Sequence, residues 1–545
     1  MNKKIVIIII MFCGFSYSLL AQRDSTKKQT IDITSSYKPV LRNSVKINFS
    51  ASNLPTDTSK ILNLYNVPPQ NLFYTYQSVS LKPLALTQDS SLDLGMRNYI
   101  KAGFGNLSTP YLSAGFSFGD GKTSMFNLYA DYISSKGKII NQDYAQMNVK
   151  ASGSYFTNRN EIFGSVGIKN QDYYLYGYDH ALHNYNKADI LQRFQDVSIQ
   201  GGIRNKDKNE TGINYSPNAQ ITVFSSQNKL TESSLVLEVP VEKTFGEVLS
   251  IKVAVKADVT SYTTKNLIPN NVKLNNNIFQ ISPELIYATN MIDIHAGVIP
   301  TWDNGKFTLL PNVYGEAQIK DNSFLVQAGL IGRFIKNTYR NLSTINPYLQ
   351  PVSFQQNTKE TELYGGIKKS VGKHFNFSAK AGLISYSNFA LFINDTATDN
   401  KSFLISNESK LSDLRLHADM SFINQDKFTV TAGLTFNGYT GMKDNARAWG
   451  TIPLEMTASM RWWAFKQVML KGDFKTFSGG AYLLKNNANG TLIGGTDLSA
   501  GAEFAINKNF SAWIDVNNIL NNKYERWHNY QVYGLNILGG IIYKF

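Results

Sequence analysis

The sequence predicts an all-β chain folded as a transmembrane antiparallel β-barrel of about 22 strands, an even number held to within about four. Three observations carry that prediction. Apolar residues recur at every second position from Met96 onward, tight polar turns alternate with long connections, and the chain stops on an amphipathic strand ending in Phe545.

Composition sets the outer limits. Of 545 residues, 43% are hydrophobic, 12% aromatic and 17% charged, with 54 Lys and Arg against 40 Asp and Glu, a formal balance of +14. These values exclude a disordered tail protein, a disulfide scaffold and a collagen-like rod. The lone cysteine, Cys13, lies in a stretch expected to be removed, so disulfide, thiol-nucleophile and Cys-type metal chemistry fall away. Past the first two dozen residues no apolar run approaches the ~18 residues that a spanning helix needs. A helical membrane protein is excluded, but strands cross bilayers in shorter segments.

Residues 1–21 read as a secretory signal peptide: Lys3 and Lys4 are followed by an apolar run and by Ala21, a small residue at a cleavage point. Residues 22–95 are rich in Ser, Thr, Asn and Lys, with Pro39, Pro55, Pro68, Pro69 and Pro83 breaking any long element. They read as an N-terminal segment, periplasmic or lumen-filling, before a barrel over 96–545.

Leu249, Ile251, Val253, Val255, Ala257 and Val259 alternate with Ser250, Lys252, Lys256, Asp258 and Thr260, so one face is hydrocarbon and the other largely polar. Phe428 to Asn437 and Asp497 to Ile506 divide in the same way. Soluble sheets alternate too, so the connections have to decide. Short turns fall at Gly119 to Lys122, Thr157 to Asn160, Asn205 to Asn209, Lys320 to Asn322, Asn424 to Asp426 and Asn507 to Asn509. Longer connections at about 178–191, 263–275, 339–357, 389–410, 478–490 and 519–532 separate them, with exceptions near Asn106 and Asp303. Barrels of the bacterial outer membrane have this asymmetry, with tight periplasmic turns and long extracellular loops, and strands of ~9–11 residues span the bilayer. Pairs such as Tyr173-Tyr174 and Trp462-Trp463, near the expected strand ends, suit aromatic girdles at the lipid interfaces.

Tyr533, Leu535, Ile537, Gly539, Ile541, Tyr543 and Phe545 share one face of the terminal segment, opposite Asn536, Leu538, Ile542 and Lys544. In this the chain resembles Gram-negative outer-membrane β-barrel proteins, whose last strand, ending in Phe, is read by the barrel assembly machinery. More narrowly, Asn517, Asn518, Ile519, Leu520, Asn521, Asn522, Lys523 and Tyr524, followed by the closing strand, resemble the end of TonB-dependent receptors, with Ile519-Leu520 in place of the usual Leu-Phe. That resemblance implies a 22-stranded barrel for uptake of bulky nutrients. It also implies a plug of well over a hundred residues, whereas 95 − 21 = 74 residues are present, so the barrel is expected without a full plug.

Lys252, Lys256, Arg333, Lys471 and Lys475 are candidate lumen charges, read either as favouring anions or, equally simply, as paired across the lumen with Asp258, Glu316, Asp473 and Glu503. No catalytic constellation, metal site or cofactor motif stands out. His180, His183 and Asp179 share one long connection, and Asp395, Asp399 and Asn400 another; both read as solvated loops. Basic residues form no dense cluster, so no nucleic-acid partner is expected. The sequence therefore predicts a non-enzymatic, receptor-like transporter or channel in contact with outer-membrane lipid, for an unidentified solute. A structural or assembly platform binding protein partners is the alternative, and a surface hydrolase ranks last.

Overall fold

The computed structural model describes residues 98–206, 211–227, 229–265, 271–319, 324–372, 374–424 and 427–545. The expected signal peptide and N-terminal segment lie outside these residues, as do Met96 and Arg97. The principal sheet has 23 strand segments, each antiparallel to its neighbours. Ile213–Tyr215 and Asn218–Ser226 both pair with Leu230–Phe245 and form one strand interrupted at Pro217, which has no N–H to give the ladder. That leaves 23 − 1 = 22 strands, the predicted number.

The barrel closes where the first strand, Tyr99–Gly105, pairs with the last, Asn536–Lys544, Tyr99 lying opposite Lys544. An even count returns the chain to its starting end, where Asn98 and Phe545 exchange backbone hydrogen bonds of 3.2 and 3.0 Å. Gly103 faces Gly540 in this seam, and a Cβ on Gly540 would sit 1.9 Å from the Ala102 carbonyl oxygen. Only glycine allows so close an approach.

Wall height varies around the barrel. The seam strand Tyr99–Gly105 has 7 residues, whereas Leu230–Phe245, Leu249–Thr264 and Val272–Ala288 have 16, 16 and 17, more than the ~9–11 that span a bilayer. Along Leu249–Thr264 the outward positions Ile251, Val253, Val255 and Val259 are exposed apolar side chains, and the last two outward positions are Ser261 and Thr263. The hydrocarbon band thus stops where the strand outgrows a bilayer.

The end that carries Asn98 and Phe545 has tight connections such as 120–123, 246–248 and 466–467. The other end carries 175–190, 336–357, 388–410, 441–453, 478–494 and 518–535, with the short exceptions at 106–108 and 304–305 where they were expected. The loop at 441–453 was not anticipated, because Met442, Trp449 and Ile452 interrupt its polar run; the structure packs all three against buried loop residues.

Two further expectations are corrected. Tyr173 does not belong to an outer girdle: it is buried with Tyr144, Phe194, Tyr262, Tyr339, Tyr348 and Tyr530 in an aromatic core at the loop end. Tyr533 and Leu535 precede the last strand rather than lying on its lipid face, while Ile537, Ile541, Tyr543 and Phe545 are exposed outward. Tyr533 turns inward, donating its hydroxyl to the Gln142 carbonyl at 2.8 Å and packing on Tyr144.

Candidate functional site

The strands expose a polar inner surface because their second face avoids hydrocarbon. The basic residues singled out from sequence lie on that surface, and the carboxylates nearest them stand one or two strands away. Lys471 reaches Asp515 at 2.8 Å, Lys475 reaches Glu455 at 2.6 Å and Arg333 reaches Glu360 at 2.6 Å. Lys252 stands in register between Glu242 and Glu284, and Lys256 between Glu238 and Gln280. The acids named with them take other bases: Asp258 pairs with Lys336, Glu316 with Lys368 at 2.5 Å and Glu503 with Lys544 at 2.9 Å, while Asp473 accepts from Ser459 at 2.6 Å. Arg333 and Lys475 reach carboxylates on the adjacent strand, Lys471, Lys368 and Lys544 each reach over one intervening strand, and Lys336 reaches Asp258 from the loop at 336–357, so the inward charges are matched over short distances along the wall.

Toward the tight-turn end the lumen holds a cavity of about 600 Å³, lined by Lys368, Ser378, Asp419, Ser421, Thr457 and Ser459 among others. Hydroxyls and ends of charged chains stand on this wall beside Leu325, Phe377 and Met420, and half of the Asp419 side chain (52%) is exposed. Such a surface suits water or a polar solute.

The loop end is built differently. A short helix, Tyr339–Ile345, lies against the inner face of the tall wall, its Tyr339 ring packing on Phe194, Phe224 and Tyr262. Thr338 caps it by accepting from the Asn341 N–H, and the Tyr339 N–H donates to the wall carboxylate Glu232 at 2.8 Å. Arg340 forms an ion pair with Asp196 on the wall. Tyr262 donates its hydroxyl to Val352 at 2.9 Å, and Asn357 bridges Asn276 and Asp303 with two bonds of 2.6 Å.

Other loops lock onto this one. Tyr530 stacks on Tyr348 at 3.5 Å between ring centres and meets Tyr176 edge-on at 4.8 Å; Trp527 packs on Phe392 and Phe403. Tyr176 donates to the Gln531 carbonyl at 2.8 Å, joining two loops 355 residues apart. Burial pushes the Tyr176 phenol up to about 12 and raises those of Tyr348 and Tyr530 further, so they remain neutral donors. The loops thus form one aromatic cap over the lumen. Its legible sign in sequence was tyrosine abundance, but period-two reasoning assigned those rings to lipid.

The turn before the last strand is a polar knot. Asn518 and Asn521 hold the left-handed backbone that asparagine tolerates, at φ 47° and 49°. The Asn518 amide donates to the Asn522 and Tyr533 carbonyls, both at 2.9 Å, and Asn521 accepts from the Leu535 N–H at 3.0 Å. Asn517 donates to Asn536 at 3.3 Å, Tyr524 donates to Asp497 at 3.2 Å, and Leu520 stays exposed. These contacts shape the loop. The two solvated loops noted in the sequence also meet, Tyr185 donating to Asp399 with His183 3.7 Å from the same carboxylate. Among the described residues no group of three His, Cys, Asp or Glu is placed to hold a metal ion.

No known family's sequence profile matches the chain, and no curated protein matches it. Solved structures do. The FrpB iron transporter from Neisseria meningitidis aligns with a TM-score of 0.63 over 84% of this chain and 82% of its own, at 11% identity. In fold, the chain resembles the barrel of TonB-dependent receptors. The siderophore receptor PirA from Acinetobacter baumannii aligns with this receptor-like barrel at a TM-score of 0.62 over 82% and 80% of the two chains, with 9% identity. The ferripyoverdine receptor of Pseudomonas aeruginosa gives 0.61 over 83% and 72%, at 10% identity.

Proposed function

We propose that this chain is an outer-membrane, receptor-like transporter or channel that moves a polar solute through a lumen gated by its loop cap. One observation carries the reading: a closed barrel with a hydroxyl-lined cavity of about 600 Å³ at one end and an ordered aromatic cap at the other. A barrel of this width that served only as an anchor has no need of a polar lumen. The fold shared with an iron transporter and with siderophore receptors supports the reading. In it, a cleaved signal peptide exports the chain, the barrel assembly machinery reads the Phe545 strand, the apolar band contacts lipid, and residues 22–95 fill the lumen or reach the periplasm. The lumen charges set ion preference, and no catalytic step is involved.

The test is conductance in planar bilayers of the full chain and of a form lacking residues 22–95. Solute-sized current in either form is expected, larger in the shortened one; near-zero current in both overturns the channel reading. A second reading, a platform for protein partners, is favoured by Leu182 and Ile493, which stand 77% and 87% exposed on the cap. The barrel neighbour solved with pyocin S2 shows a receptor of this fold engaging a protein. A non-conducting barrel that copurifies with a stable partner supports this alternative.

A further inference from the structure

Between the inner wall and the cap lies a second, small cavity of about 90 Å³, whose lining includes Arg415, Tyr386 and Tyr439 from the wall and Phe389, Trp449 and Arg526 from the loops. Two guanidinium groups line it and no carboxylate does. Arg415 donates through Nε to Asn437 at 2.9 Å and through one terminal nitrogen to Tyr386 at 2.7 Å and Asp413 at 3.2 Å. Its other terminal nitrogen, Nη1, is buried without a hydrogen-bond partner, and the side chain is only 7% exposed. Trp449, 3% exposed, likewise has a buried Nε1 without a partner. Arg526 is held against the Trp527 ring at 4.1 Å and donates to the Gly450 carbonyl at 2.8 Å.

Leaving a buried donor unmet is costly, and both groups can only donate. Two such donors on one cavity, with a second cation and aromatic walls, call for an acceptor that carries negative charge and a small apolar body. The cavity is small, which favours a short ligand over a bulky headgroup. A planar carboxylate matches the guanidinium fork.

We propose that this cavity binds a short-chain organic carboxylate, with Arg415 and Trp449 as its donors. The site concerns equilibrium binding and stands apart from the transport reading, so it survives a barrel that conducts nothing. The test uses the full chain in detergent micelles, with equilibrium dialysis of radiolabelled butyrate and with butyramide or inorganic phosphate as competitors. Saturable butyrate binding is expected, lost in Arg415→Gln and weakened about tenfold in Trp449→Phe, which keeps an aromatic wall and removes the N–H. Butyramide and phosphate are expected not to compete. Gel mobility with and without heating verifies that each variant is a folded barrel, and Trp449→Phe keeps the test decisive if Arg415→Gln does not fold. Competition by butyramide equal to that of butyrate, competition by phosphate, wild-type affinity in Trp449→Phe, or no saturable binding would each overturn the proposal.

Discussion

The two ends of this barrel solve opposite problems with the same strands. At the tight-turn end the inward side chains are Ser378, Ser421, Thr457 and Ser459, short and hydroxylic, around an open cavity. At the loop end they are Phe194, Phe224 and Tyr262, large and aromatic, and they receive a helix and several loops. A lumen surface that carries hydroxyls keeps its water, whereas one that carries rings recruits a second layer of protein to cover it. Closure of the mouth is thus written into the wall as well as into the loops.

The sharpest way to break this contrast is Tyr339→Ala. Tyr339 is fully buried among three wall rings, and losing it costs the cap about 3–5 kcal/mol, the range for truncating a buried aromatic. Persistent current in planar bilayers, with the turn-end cavity unchanged, is the expected outcome; a silent channel with parental thermal stability argues that the helix is not the closure. Glu232→Ala leaves the Tyr339 N–H without its wall acceptor and is expected to weaken helix docking by about 1–3 kcal/mol, read by hydrogen exchange across 336–357.

A pH dependence separates cap from wall. Glu408, buried in the hairpin at 388–410, accepts backbone N–H groups of Lys410 at 3.2 Å, Lys443 at 2.8 Å, Asp444 at 3.1 Å and Asn445 at 2.8 Å. Burial raises its pKa but those N–H groups outweigh burial, and the carboxyl is held below the usual glutamate range. A carboxyl depressed by folding stabilises above its unfolded pKa and loses that contribution as pH falls through the folded value. Loop 441–453 is therefore expected to loosen on acidification, as faster proteolysis at Lys443 in acid-pulsed samples. Glu408→Gln is expected to be loose at neutral pH and to lose the acid step. The smallest effect belongs to the turn end: Lys368→Gln removes a half-exposed partner of Glu316, costs about 0–1 kcal/mol, and in a Tyr339→Ala background shifts the reversal potential toward cations.

Alternation made the wall legible. Ile251, Val253 and Val255 against Lys252 and Lys256 reveal which side faces hydrocarbon, because successive side chains of a strand point to opposite faces. Charge partners were less legible. The pairing of Lys475 with Glu455 and of Lys471 with Asp515 depends on register and strand tilt, which the residue pattern alone leaves open. The aromatic cap was misread for a related reason: Tyr173 has the spacing of a strand-end girdle residue, and only its inward side and the arrival of other loops make it core.

What the sequence determined by itself is the closed sheet, its 22 strands and the unequal treatment of its two ends, since each strand must satisfy lipid on one side and its backbone partners beside it. The cap, by contrast, arises from three-dimensional packing alone. Tyr176 meets Gln531 between two loops, and the loop residue Arg526 joins the wall residue Arg415 around one small cavity, far apart in the chain. Such contacts have no period, and they form because the barrel has already brought the loop ends together and lowered the entropy of joining them.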